Sequence, residues 1–537
     1  MYPVDLAYPN PLYFLLRAAS IFPNKIALSH PDRPHPVQYT YSVWTQRVQN
    51  LAYAIIKAGI RSGDTVAVLA PNSNYSYFGV IAARAISCPI NTRLSPQEVK
   101  YILDHSQSRL LLVDHEYVHL IKDTAIPFIV CNDTGKPGDP YEDFLESGRQ
   151  FSNERGWPGL VIEADETLGA CLCYTSGTTA RPKGVLTTLR GSYLAAISNV
   201  TEAQLTRASV YLWILPMFHA AGWTYPWANV YACATQVTIR AVSYPVIWRH
   251  FYQSGITHYC GAPTVQIGIV NEPTSRRLER PITAIIAGSA PTAHLIQMLE
   301  EKNIKPVHVY GLTETYGPFM RTNTHSSWAT LNAAMRAKLM ARQGNPFPTA
   351  QEARVVYPTE NDSNELVDVP RDGKTVGEIV TRGNLTMKEY FRDPETTRIA
   401  FRGGSFHSGD LAVMHGDGTI AVVDRSKDII ISGGENISSL AVEQELATHP
   451  HVLEVSVVAR THPKWGERPL AFVILRPQHT KKWADNHQGF EGELKEFARA
   501  RLPGFACPEW VRIVEELPKT STGKIQKNVL RGISAKL

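Results

Sequence analysis

The stretch Tyr174-Thr175-Ser176-Gly177-Thr178-Thr179-Ala180-Arg181-Pro182-Lys183-Gly184 crowds two glycines, four hydroxyl side chains and a lysine into one short loop. Residues of these types at this spacing can wrap a polyphosphate. Glycine lets backbone N–H groups turn inward, hydroxyls donate to phosphate oxygens, and the lysine supplies a point charge. The loop follows Leu168-Gly169-Ala170-Cys171-Leu172-Cys173, an apolar run that reads as a buried strand. It is not a Walker A loop, because no Gly-Lys-Ser/Thr follows a glycine at the required distance. The one Gly-Lys-Thr, Gly373 to Thr375, has Asp368 where the first glycine should stand. Taken alone, the loop also fits an ordinary polar turn.

Further segments follow in order: Leu215-Pro216-Met217-Phe218-His219, Gly288-Ser289-Ala290-Pro291, Tyr310-Gly311-Leu312-Thr313-Glu314-Thr315 and Phe406-His407-Ser408-Gly409-Asp410-Leu411. Then come Asp424-Arg425-Ser426-Lys427-Asp428, Gly433-Gly434-Glu435-Asn436-Ile437 and, close to the end, Pro518-Lys519-Thr520-Ser521-Thr522-Gly523-Lys524-Ile525. With the Thr-Ser-Gly-Thr-Thr-x-x-Pro-Lys-Gly loop, this series resembles the adenylate-forming (ANL) superfamily over most of the chain. That superfamily includes acyl-CoA synthetases, the adenylation domains of peptide synthetases and firefly-type luciferases. The wording Pro-Met-Phe-His-x-x-Gly-Trp and Tyr-Gly-Leu-Thr-Glu-Thr-Tyr-Gly-Pro is most similar to the medium-chain and benzoate-type acyl-activating enzymes.

The resemblance implies two steps on one site. A carboxylate attacks the α-phosphorus of ATP, giving an acyl-adenylate and pyrophosphate, and the thiol of CoA then displaces AMP. Bringing a carboxylate against a polyanion needs charge neutralisation and positioning more than acid–base help. The family pattern assigns Thr175, Ser176, Gly177, Thr178, Thr179 and Lys183 to the phosphates. It assigns Gly288, Ser289, Ala290, Pro291, Tyr310, Gly311 and Leu312 to the nucleotide, and Thr313 to the α-phosphate. Glu314 would hold Mg2+, a hard cation that takes carboxylate and phosphate oxygens together. Asp410 would accept both ribose hydroxyls, with Arg425 beside it. Lys524, an ammonium on a flexible stem, would stabilise charge on the reacting carboxylate and α-phosphate. Lys519 and Lys527 compete for that assignment, and the Thr-Gly-Lys context favours Lys524. Two positions depart from the family pattern: Ser405 stands near the position of a usual tryptophan, and Ala180 replaces the usual glycine.

Lys427 falls where the superfamily has its hinge. The small domain is expected to rotate there after adenylation, withdrawing Lys524 and bringing Gly433 and Gly434 to the site. Those glycines would let a narrow pantetheine pass along their backbone; a simple β-turn is the other reading. His219 would stand between acyl pocket and thiol tunnel, as a gate or as a packed histidine. The acyl pocket is expected to be lined by Ala221, Trp223, Tyr225, Gly261 and Ala262. Acetate-specific relatives carry tryptophan at the Gly311 position, so glycine there points to a medium-chain, branched or aromatic acid. Transfer to a separate carrier protein and a luciferase-like oxygenase are the alternative activities. A non-enzymatic binding role is opposed by the intact Lys183, Glu314, Asp410, Arg425 and Lys524.

Alternating elements must position these residues. Thr65 to Ala70, Leu110 to Asp114, Pro281 to Gly288 and Val307 to Gly311 read as strands, and the last two end in motif residues. Ligand residues at the C-terminal ends of strands are what an open α/β sheet should show. Ser95 to His105 has helical spacing with a start at Ser95-Pro96. Ala353 to about Asp424 resembles a small β-barrel. Ser439 to Ala447 and Glu491 to Leu502 read as helices, and Val452 to Ala459 as a strand. The fold class is therefore α/β. Residues 1–424 form a large domain of two α/β subdomains plus the small barrel, 425–427 the hinge, and 428–537 a mobile α+β domain.

A chain of 537 residues is too long for a single core. With 44% hydrophobic and 19% charged residues the composition is that of a soluble globular protein, and a net charge of +5 does not argue for nucleic acid. The seven cysteines are scattered without a Cys-x-x-Cys pair, so packing is expected rather than metal or disulfides. No apolar run is long enough to span a membrane, and the N-terminal residues do not read as a signal peptide. The final Ala535-Lys536-Leu537 is a close variant of the Ser-Lys-Leu peroxisomal address, and an import receptor is the partner it implies. Without a eukaryotic source the expectation is cytoplasmic.

Overall fold

A computed structural model describes residues 8–72, 77–122, 124–163, 165–175, 181–358, 365–520 and 524–537. Two large mixed sheets carry the first four hundred residues. One runs, in spatial order, Asn345–Pro346, Gly317–Arg321, Ile304–Leu312, Ile282–Ile286, His258–Gly261, Val210–Trp213, Thr235–Thr238, Ile26–His30 and Val37–Thr40. The other runs Glu389–Tyr390, Gly184–Thr188, Gly169–Tyr174, Ile86–Pro89, Thr65–Leu69, Ser108–Asp114 and Phe128–Cys131. Central strands such as Thr65–Leu69 are buried along their whole length because helices cover both faces, so they read as continuous apolar runs. The expected strands are therefore found, each within a few residues of its predicted ends.

The helix expected from Ser95 spans Pro96–His105. Ser95 accepts the Glu98 N–H while the Glu98 carboxylate accepts the Ser95 N–H, and Pro96 occupies the first turn, where no N–H is needed. All seven cysteines are buried free thiols; Cys171 and Cys173 sit on one face of their strand with sulfurs 3.5 Å apart.

The segment expected to be a small barrel forms an antiparallel sheet in the order Glu352–Val356, Gly377–Arg382, Phe406–Met414, Ile420–Arg425. Among the described residues no ladder joins its first and last strands, so the sheet is open. The last hundred residues have a sheet and a core of their own. Ile430–Ser432, Glu435–Ile437, Val452–His462, Gly466–Leu475 and Trp510–Ile513 pair together. Ile430, Val442, Leu446, Val457, Val473, Phe490 and Leu494 pack between that sheet and the helices Ser439–Leu446 and His487–Arg499. The second helix starts four residues before its expected position, where Asn486 caps it by accepting the Gly489 N–H. No described helix is long and apolar enough to cross a membrane.

Candidate active site

Three parallel strands build one wall. Gly261 lies opposite Ile286, and Ile286 opposite His308, so the ends of these strands deliver Gly261-Ala262, Gly288 to Pro291 and Tyr310 to Leu312 to the same edge. Gly288 turns the chain with φ +95°, a region that favours glycine. Gly311 is glycine for a different reason: a Cβ there would overlap the carbonyl of Gly317 on the neighbouring strand, at a bulge in the ladder. The missing side chain is thus required by strand pairing as well as leaving the pocket open.

Asp410 and Arg425 face each other across an antiparallel pair, with Arg425 Nε 3.2 Å from Asp410 Oδ1. The Tyr310 hydroxyl donates to Asp410 Oδ2 at 2.6 Å. Burial, with the Asp410 charge beside it, pushes the Tyr310 phenol well up, so it remains a donor. Gly409 (φ +71°) lets the backbone turn, and its N–H donates to Glu378. Glu314 stands in a short turn, Thr313–Thr315, directly after the strand. Its Oε1 accepts the Tyr390 hydroxyl at 2.8 Å, and among the described residues no hydrogen bond or ion pair reaches Oε2.

Tyr390 was not singled out by sequence. Its strand pairs with the one that leaves the phosphate-type loop, Tyr390 opposite Val185, and Lys183 Nζ lies 4.8 Å from the centre of its ring. Tyr390 therefore touches both the loop lysine and Glu314. No local pattern around Lys388-Glu389-Tyr390 signals this; only the strand pairing does. The neck of the loop is closed by the Thr175 N–H donating to the Lys183 carbonyl at 3.0 Å. Ser176, Gly177, Thr178, Thr179 and Ala180 lie outside the described residues.

Lys524 reaches the same cleft from the small domain. It sits among Arg425, Asp410, Asp428 and Lys427, and burial together with the Arg425 charge lowers its pKa to about 8. The two competing lysines are occupied elsewhere: Lys519 pairs with Glu454 at 2.6 Å, and Lys527 with Glu443 at 2.9 Å and the Ser439 hydroxyl at 2.6 Å. Lys427 follows Arg425 at the domain junction, where burial and the Arg425 charge lower its pKa. Its neighbour Asp428 is held by Arg531 at 2.5 Å, a second pair that sequence did not flag.

His219 lies close enough to Lys524 to feel its charge. Burial first, then that charge, lower its pKa to about 4. It is a neutral ring at physiological pH and a poor base for a thiol in this arrangement. After it, Ala220, Ala221, Gly222, Trp223 and Thr224 all have positive φ, from +38° to +69°. Such a run is costly for residues with a Cβ. It is held by Asn199, whose amide donates to the Trp223 carbonyl and the Thr224 hydroxyl, and by Gly222 lying against the Trp213 ring. Trp223 and Tyr225 are 5% and 1% exposed, and Tyr225 stacks on Tyr211. The expected acyl-pocket residues are therefore rigidly packed.

Gly433 and Gly434 form an exposed hairpin turn (φ +60° and +90°) against the Trp465 ring. Among the described residues no hydrogen bond or ion pair joins them to Glu314, Asp410 or Lys524. Lys524, by contrast, stands beside Arg425 and Asp410.

A family model described as AMP-binding enzyme matches residues 15–391, and one described as AMP-binding enzyme C-terminal domain matches residues 441–524. The chain is 38% identical to an acetate/butyrate–CoA ligase of Arabidopsis thaliana, named as peroxisomal, over 98% of this chain and 95% of that protein. It is 36% identical to a peroxisomal benzoate–CoA ligase of Arabidopsis thaliana over 98% of this chain and 93% of the relative. Among solved structures, an anthranilate CoA ligase in complex with anthranoyl-AMP superimposes with a TM-score of 0.83, covering 100% of this chain and 99% of that one at 23% identity, which shows the shared fold.

Proposed function

The chain belongs to the AMP-binding enzyme family, and from that premise we propose that it is an acid–thiol ligase that activates a carboxylic acid as acyl-AMP and passes the acyl group to CoA. The observation that carries the reading is the meeting of Tyr310 and Glu314, Asp410 and Arg425, and Lys524 in one cleft, although more than two hundred residues separate the first from the last.

Each group has work suited to its surroundings. Asp410, fixed by Tyr310 and Arg425, would accept the ribose hydroxyls. Arg425 keeps its charge because Asp410 and Tyr310 outweigh the penalty of burial, and it faces the phosphate side. Lys183 would hold the terminal phosphates. Lys524 would bind the reacting carboxylate and the α-phosphate oxygens together and stabilise the charge that builds between them. Glu314 fits Mg2+: it is a carboxylate with one oxygen fixed by Tyr390 and the other available, and Mg2+ takes one or two carboxylates plus phosphate oxygens. When bound, the ion would neutralise charge on the leaving pyrophosphate. For the second step we place the hinge at residues 425–427. Rotation there would withdraw Lys524 and carry Gly433-Gly434 to the cleft for the thiol.

The acid is of the short-chain, branched or aromatic type. Of the medium-chain, branched and aromatic acids expected from sequence, the last two carry over, and short acids join them. Buried Trp223 and Tyr225 support a short pocket. The naming of several relatives as peroxisomal supports the same location here, and Ala535-Lys536-Leu537 is an exposed segment that a receptor could read.

The test is a panel of such acids with ATP and Mg2+, following pyrophosphate release and then thioester formation on adding CoA. Pyrophosphate release and CoA thioester with at least one acid are expected. Release without thioester would replace CoA by a carrier protein as acceptor, and a requirement for oxygen would support the luciferase-like reaction.

A further inference from the structure

In the small domain, a turn and two helices bring imidazoles and a carboxylate together. His449 and His451 flank Pro450 between the helix Ser439–Leu446 and the strand Val452–His462, and Glu493 projects from the helix His487–Arg499. His449 Nε2 lies 3.3 Å and His451 Nδ1 3.2 Å from the same oxygen, Glu493 Oε1, and all three atoms fall within 4.8 Å of one another. Donors bound to Zn2+ at about 2.0–2.2 Å in a tetrahedron stand about 3.3–3.5 Å apart. The ring of His479, from the helix Pro477–Trp483, lies 4.0 Å from that of His451.

The protein alone satisfies only half of this arrangement: His449, whose Nδ1 accepts the His451 N–H, has its Nε2–H to donate to Glu493 Oε1, whereas His451 Nδ1 faces the same oxygen as an acceptor. Lys482, the other charged neighbour, reaches only the opposite oxygen, at 3.8 Å. Trp483 Nε1–H donates to His451 Nδ1 at 3.1 Å, which leaves that nitrogen's lone pair beside a carboxylate oxygen. A cation between them turns this repulsion into two bonds. Imidazole with carboxylate is a donor set for zinc-like transition metals, whereas Mg2+ and Ca2+ prefer oxygen alone.

The geometry points to a second metal site, in which His449, His451 and Glu493 bind a divalent transition metal of the zinc type, with His479 as the fourth ligand after a small ring movement. Two hydrogen bonds compete with the ion: the one from Trp483, and the His451 N–H donating to His449 Nδ1 at 3.2 Å. Loading must displace both, the second because the His449 proton moves from Nε2 to Nδ1, which makes the site weaker than a preformed zinc finger. The site ties the 449–451 turn to the helix His487–Arg499, so it steadies the small domain.

The experiment uses the full chain, stripped with a chelator and titrated calorimetrically with ZnCl2 in excess Mg2+. One saturable equivalent with micromolar affinity is expected, together with a rise in melting temperature. Binding should be at least tenfold weaker in His451→Ala and in Glu493→Gln, while both keep wild-type acyl-CoA synthesis. Equal zinc affinity in the wild type and both variants, or no saturable binding, overturns the proposal. Should the variants fold poorly, Co2+ bound to the wild type decides: the intense visible absorption of a tetrahedral nitrogen–oxygen site supports the proposal, and the weak bands of an octahedral ion refute it.

Discussion

At the scale of single residues, the proposed role of Lys524 depends on its state. In that role its ammonium would carry charge to neutralise a carboxylate and a phosphate, yet burial and Arg425 lower its pKa to about 8. The protonated form is the active one, so kcat/KM for pyrophosphate release should fall as pH rises through about 8, and Lys524→Arg should move that limb upward. Lys524→Ala should cut adenylation by about 10²- to 10³-fold, the usual cost of a lost transition-state donor, with little change in ATP binding. Tyr390 makes the complementary prediction. Its phenol, kept protonated by burial and by Glu314, fixes one oxygen of that carboxylate. A hydrogen bond to a charged group contributes about 1.5–3 kcal/mol. Tyr390→Phe should therefore raise the Mg2+ needed for half-maximal rate by roughly tenfold or more, while kcat at saturating Mg2+ changes little. An equal loss at every Mg2+ concentration would show instead that the hydroxyl matters only for packing.

At the scale of elements, the left-handed run Ala220 to Thr224 decides where Trp223 goes. The backbone is forced by Asn199 and by Gly222 against Trp213, so the indole is packed in and barely exposed. Trp223→Ala should shift preference toward longer acids. Each added methylene that finds apolar cover is worth about 0.8 kcal/mol, visible in kcat/KM across a chain-length series; an unchanged series would remove Trp223 from the pocket wall. The junction strand Ile420–Arg425 offers a second test. Buried Asp424 accepts the N–H and hydroxyl of Ser439 at 2.6 and 2.7 Å, anchoring the first helix of the small domain. Asp424→Asn weakens charge-assisted bonds and leaves Lys527 short of a counter-charge, so a loss of about 1–3 kcal/mol in thermal or urea unfolding is expected.

At the scale of the whole molecule, two separately cored domains meet at one cleft, and the two half-reactions need different occupants of it. Lys524 stands beside Arg425 and Asp410, which under the proposed mechanism is the arrangement suited to adenylation. If rotation about residues 425–427 serves the second step, Lys427→Pro, which fixes φ there, should leave pyrophosphate release near wild type and depress thioester formation at least tenfold. Equal effects on both steps would argue against that hinge. Much of this architecture was readable beforehand. Thr65–Leu69 and Gly169–Tyr174 announce themselves because a strand covered on both faces must be apolar throughout, and Ser95-Pro96 with Glu98 is a helix start written in nearly consecutive residues. The open sheet near residue 353 was less legible, because short alternating strands do not reveal whether the last pairs with the first.

The sequence by itself determined the family and the order of the motifs, and it singled out Glu314, Asp410, Arg425 and Lys524 as candidates, because these depend on residue type at fixed local spacing. Among three lysines near the C-terminus it favoured Lys524 by the Thr-Gly-Lys context, and it gave no hint of Tyr390. Tertiary structure supplied the partners of each. Lys519 and Lys527 are drawn off by Glu454 and Glu443, and Tyr390 is carried beside Lys183 by the pairing of strands about two hundred residues apart. The physical reason is the same in each case. A side chain's role is set by the charges and donors it meets, and those meetings are made by long-range packing that spacing along the chain does not encode.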